Sequence, residues 1–206
     1  MTETNEIVFT GAGLLTAAGD TLQHHIDLLN SPQERLSSED YMLKGKIKPA
    51  KHLSDKRMMK VVSIIDAYGL VSIENAKKAA SFDNEMYDTW KKGIYVGAPS
   101  GAAWDNENYF DALRESKSDS GEAIERDFGL AAMTCRPTTL LLGLPNNVLC
   151  YAALIMDAKG PNSNYTSVEI SGHLAVQNAA KRIKRGQLDM AVAGSFSAHT
   201  DQVIVN

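Results

Sequence analysis

The sequence predicts an α/β fold: a mainly parallel, mixed sheet with helices on both faces. Three observations carry the prediction. Short β-branched or apolar runs recur along the chain, most of them run into small-residue turns, and stretches with helical spacing fill the intervals between them.

Residues 7–10, Ile-Val-Phe-Thr, form the first such run and end at Gly11-Ala12-Gly13, which predicts a buried strand and a tight turn. Residues 21–30 place Leu22, Ile26 and Leu29 on one helical face. Residues 31–53 are rich in Ser, Pro, Lys and Glu without a period and are expected to form a surface loop or small insertion. Between 56 and 80, Met58, Val61, Val62, Ile65, Tyr68, Gly69 and Ile73 approach helical spacing, so one long buried helix is expected, stopped near Ser81 and Asp83.

Residues 93–97 are the second strand, again followed by small residues, Ala98-Pro99-Ser100-Gly101. A helix is expected over 104–115, a loop over 116–121, an apolar run over 138–142, and an apolar helix over 146–158 closed by Gly160. Residues 165–168 form the third strand, 172–185 an amphipathic helix ended by Gly186, and 190–193 the fourth strand. An edge strand over 202–205 completes the pattern.

Composition narrows the function. With 21 Lys+Arg against 25 Asp+Glu the formal charge is −4, and 44% of the 206 residues are hydrophobic, so a globular core is affordable without staples. Concentrated positive charge of the kind phosphate polymers require is missing, which excludes nucleic acid and acidic lipid as main partners. No stretch reaches ~18 uninterrupted apolar residues, and residues 1–6 are polar and acidic where a signal peptide would be basic and then apolar. A cytoplasmic protein is expected, and the Asn164-Tyr165-Thr166 sequon is read as chance.

Metal and cofactor chemistry find little support. The two cysteines, Cys135 and Cys150, have no ligand neighbours at metal spacing and read as small buried hydrophobes. None of His24, His25, His52, His173 and His199 pairs with a second ligand at a helical metal spacing. Gly11-Ala12-Gly13 opens like a dinucleotide fingerprint, yet position 16 is Thr16 and no acidic residue closes a second strand about twenty positions on. These small residues are read as a packing turn, and no cofactor is expected.

The informative stretch is 159–172. A strand ends there, one residue follows on a sharp turn, and a helix opens with Ser171-Gly172. Backbone N–H groups and the helix dipole at such a start stabilise negative charge, which suits an activated thiol and a developing oxyanion. The residue presented is Glu169.

Several motifs, taken in order, resemble the β-ketoacyl-(acyl carrier protein) synthases of the thiolase fold. They are residues 8–16 (Val-Phe-Thr-Gly-Ala-Gly-Leu-Leu-Thr), Arg57-Met58-Met59-Lys60, 96–101 (Val-Gly-Ala-Pro-Ser-Gly), Leu144-Pro145-Asn146, Lys159-Gly160-Pro161-Asn162, and 186–194 (Gly-Gln-Leu-Asp-Met-Ala-Val-Ala-Gly). The resemblance covers nearly the whole chain and implies the N-terminal half of the thiolase-like fold as a single domain over 1–206. In working members the residue nine positions after the Gly of Gly-Pro is the acyl-accepting cysteine, and that register lands on Glu169. A carboxylate cannot take over as acyl carrier, because an acyl-glutamate is a hydrolysable mixed anhydride. Members are about twice this length. Their second half carries two catalytic histidines, in a His-Gly-Thr-Gly-Thr motif and a Gly-His that follows it, and this sequence carries neither motif.

The resemblance therefore implies no catalytic residue. It points to a subunit similar to chain-length factors, which replace the cysteine, often by glutamine, pair with an active ketosynthase and help shape the cavity for the growing chain. Half-length versions resemble proteins found with aryl polyene synthases. The implied partner is a full-length ketosynthase, in a heterodimer or heterotetramer, with acyl carrier protein reached through the complex. The implied contact strand is Asn164, Tyr165, Thr166, Ser167 and Val168. Thr139, Leu140, Leu141, Leu142, Gly143, Leu144 and Asn146 match the part that reaches toward the partner's acyl tunnel, although the leucines could equally fill the chain's own core. Glu169 is expected to be satisfied by helix-start N–H groups. The alternatives are an acyl-thioester hydrolase or decarboxylase using Glu169 as general base, and an inert homodimeric binding module.

Overall fold

The computed structural model describes residues 6–16, 19–31, 48–98, 144–167 and 169–197, together with 114, 133 and 142. Among these residues the sheet has three parallel strands in the order β2-β1-β3. They are β1 (Lys92–Gly97), β2 (Ser163–Tyr165) and β3 (Met190–Ser195). Tyr95 of β1 is in register with Ser163 on one side and Ala193 on the other. Six consecutive buried residues in β1 follow from its central place: both edges are paired and both faces are covered.

The helices are α1 (Leu22–Asn30), α2 (Ile64–Ala79), α3 (Asn147–Met156) and α4 (Ser171–Lys184). Ile94 and Val96 point to the α2–α3 side, into a cluster with Leu70, Val71, Val148 and Ala152. Tyr95 points the other way and packs with Ala175, Ala179 and Leu188 beneath α4. This is the expected arrangement, with helices on both faces of a parallel sheet. A fully buried Leu70 or Ile94 contributes about 1.5–3 kcal/mol, so the α2–α3 cluster dominates the packing.

Several sequence expectations are corrected. Residues 7–10 form no strand: Val8 and Phe9 are 66% and 87% exposed, and the segment pairs with nothing among the described residues. A strand needs a partner for its backbone, and the glycines that follow lie instead against α2. A Cβ at Gly11 would fall 2.6 Å from the Ala76 carbonyl oxygen, and one at Gly13 would overlap that of Ser72. The reading of these small residues as packing residues is the part that stands, and no turn is formed at Gly11-Ala12-Gly13.

The long helix expected over 56–80 is broken. Lys56–Lys60 is a 3₁₀ turn, and α2 starts only at Ile64 because Ser63 and Asp66 form a reciprocal capping box there. Asp66 N–H donates to Ser63 Oγ at 3.1 Å, and Ser63 N–H donates to Asp66 Oδ2 at 3.2 Å. Within the expected loop, Pro49–Lys51 forms a 3₁₀ turn, and Pro49 and Leu53 are buried. Helix α3 stops at Asp157, which takes a left-handed conformation at φ 45° before Gly160 is reached.

Cys150 is exposed, against expectation, because α3 turns Val148, Leu149 and Ala152 to the core and leaves Cys150 and Leu154 outside. Cys135, the helix expected over 104–115 apart from a helical Arg114, and the strand expected over 202–205 lie outside the described residues. Helix α1 forms where expected but buries no residue.

Candidate functional site

The C-terminal ends of the three strands converge on the start of α4. Gly97 ends β1, and a Cβ there would come within 2.7 Å of Ser171 Oγ and of the Ser171 carbonyl carbon. A Cβ on Gly172 would come within 2.5 Å of Ser195 Oγ, at the end of β3. Two glycines therefore let the first turn of α4 sit directly on the strand ends, and Ser171 is buried as a result. Beyond the strands, Ala98 N–H donates to the Tyr165 carbonyl at 2.8 Å and Phe196 N–H to the Gly97 carbonyl at 3.1 Å, closing this end of the sheet.

Glu169 occupies the turn between β2 and α4 and is exposed. The expectation that helix-start N–H groups satisfy its carboxylate is not met. The N-cap is Ile170, no side chain caps the helix, and no hydrogen bond reaches Glu169 among the described residues. Position explains this: Glu169 lies one residue before the N-cap, whereas a capping side chain sits on the N-cap itself. His173 is four residues on and exposed, and no ion pair joins it to Glu169 among the described residues. No acid–base dyad is assembled here.

An apolar-walled cleft of about 730 Å³ opens beside this turn, between α4 and the end of β3. Ile170, Leu174 and Val176 supply its greasy wall, with His173, Gln177 and Ser195 on the rim. Ile170 remains 51% exposed and Val176 36%.

Of the residues expected to form the contact strand, Asn164 and Tyr165 lie on β2, an edge of the sheet among the described residues, and the strand ends at Tyr165, leaving Thr166 and Ser167 beyond it. Among the described residues Gly97 and Tyr165 are the last registered pair. Val168 lies outside the described residues, as do Thr139, Leu140, Leu141 and Gly143. Leu142 is helical and half-buried, Leu144 is 42% exposed, and Asn146 is exposed, with its Nδ2 3.7 Å from Cys150 Sγ. Thus Leu144 does not fill the chain's own core.

Sequence reasoning missed the polar groups that fix α2. Asp66 is buried, and besides its capping bonds it accepts from Asn147 Nδ2 at 3.3 Å, linking α2 to α3. Burial pushes its carboxyl above the usual range, while hydrogen bonds from Ser63 and Asn147 oppose the shift. Glu74, also buried, accepts from Ser54 N–H and from Ser54 Oγ. The Ser63-x-x-Asp66 spacing was the available signal for the first of these. Among the described residues no group of three or more His, Cys, Asp or Glu could hold a metal ion, and no helix is long and apolar enough to cross a membrane.

The sequence model of the β-ketoacyl synthase N-terminal domain matches residues 4–205. The chain belongs to this family. Among solved structures, it is similar to a type II PKS acyl-carrier protein in complex with its ketosynthase bound to the hexaketide (AntDE:AntF), at 19% identity and TM-score 0.76 over 96% of this chain and 53% of that one. It is also similar to the ishigamide ketosynthase/chain length factor, at 14% identity and TM-score 0.68 over 96% and 49%. A third is a beta-ketoacyl synthase from Burkholderia phymatum STM815, at 19% identity and TM-score 0.64 over 88% and 44%. The chain thus spans about half the length of the structures it matches. No curated protein sequence matches it.

Proposed function

We propose that the chain is a non-catalytic, chain-length-factor-like subunit. It pairs with an active ketosynthase, in a heterodimer or heterotetramer, and shapes elongation of a fatty acyl or polyketide chain, of the aryl polyene type, that acyl carrier protein brings to the complex. The observation that carries this reading is Glu169 on the turn between β2 and α4, in the register of the family's acyl-accepting cysteine. A thiolate there would be a nucleophile at a helix start; a carboxylate forms no thioester. One similar structure is itself named as a ketosynthase with a chain length factor, which supports the assignment.

The position of β2 at the sheet edge among the described residues supports a partner strand along Asn164 and Tyr165, since an edge strand offers backbone groups for pairing. Exposed Leu144 supports an apolar contact outside the chain's own core. Co-expression with the ketosynthase encoded nearest to it tests the reading. A stable 1:1 complex is expected, and two independently monodisperse proteins would refute it.

A further inference from the structure

We draw no further inference here: the strongest candidate, the apolar-walled cleft between the first turns of α4 and the end of β3 with His173, Gln177 and Ser195 on its rim, carries nothing because the chain spans about half of the structures it matches and nothing in the structure shows what covers that face.

Discussion

Asn147 Nδ2 donates to Asp66 Oδ2 over 3.3 Å, and this contact ties the first residue of α3 to the capping box that starts α2. Both side chains are buried, so the joint between the two helices is polar inside an otherwise apolar layer. Ser63→Ala removes the N-cap acceptor and should cost about 1 kcal/mol. For a chain of this size that is a fall of about 2–4 °C in Tm, readable by thermal denaturation.

The same joint has a pH signature. Burial holds the Asp66 carboxyl above its ordinary value near 3.8, so the folded state binds a proton more tightly than the unfolded state. The associated stability is fully present below the ordinary value and is lost as pH rises through the raised one. Asp66→Asn does not titrate. The stability of wild type minus that of Asp66→Asn should therefore decline as pH is raised from about 4 and then level off. Urea midpoints for both proteins between pH 4 and 7 measure this, and a difference that grows with pH would contradict it.

At the strand ends, the contact between Gly172 and Ser195 predicts a coupled pair. Gly172→Ala should cost about 1–3 kcal/mol by overpacking, because its Cβ meets Ser195 Oγ. Ser195→Gly in the same chain should recover a measurable part of that loss, giving a coupling above about 0.5 kcal/mol. Gly194→Ala is the control: nothing lies within 4 Å of a Cβ there, so stability should stay within about 0.5 kcal/mol.

Cys150 should react quickly with a thiol reagent in the native chain, and peptide mapping should place label there, because the residue is exposed on α3. Slow labelling of Cys150, matching the unfolding rate, would contradict its exposure.

The same helix shows where sequence reading stops. In Asn-Val-Leu-Cys-Tyr-Ala-Ala-Leu-Ile-Met nearly every residue is apolar, so periodicity cannot say which side faces the core; contact with α2 and β1 decides it. Strand β1 and helix α4 were legible because their signals were local: a β-branched run between small residues, and an amphipathic pattern ended by Gly186. Residues 7–10 have an equally good strand pattern, but a strand is realised only when a neighbour accepts its hydrogen bonds. The strand–turn–helix pattern of 159–172 puts Glu169 on a turn, as observed, while its expected hydrogen bonds are not formed among the described residues. A one-residue offset from the N-cap separates a carboxylate that caps from one in solvent, and boundary positions are the least determined by pattern.

That offset makes Glu169 testable by both stability and chemistry. Because it is exposed and no hydrogen bond reaches it among the described residues, Glu169→Ala should change stability by less than about 0.5 kcal/mol, where loss of a true cap would cost about 1 kcal/mol. A general base would behave differently: an acyl-thioester hydrolase or decarboxylase built on Glu169 would lose its turnover in the same variant. The isolated wild-type chain is expected to turn over no acyl thioester, since no acid–base partner stands beside Glu169 among the described residues. Glu169→Cys supplies a thiol at a helix start and should gain reactivity toward iodoacetamide. It should still join no two acyl units, because a nucleophile without the family's two histidines lacks the means to decarboxylate and stabilise an enolate. Carbon–carbon bond formation by that purified variant alone would contradict the non-catalytic reading.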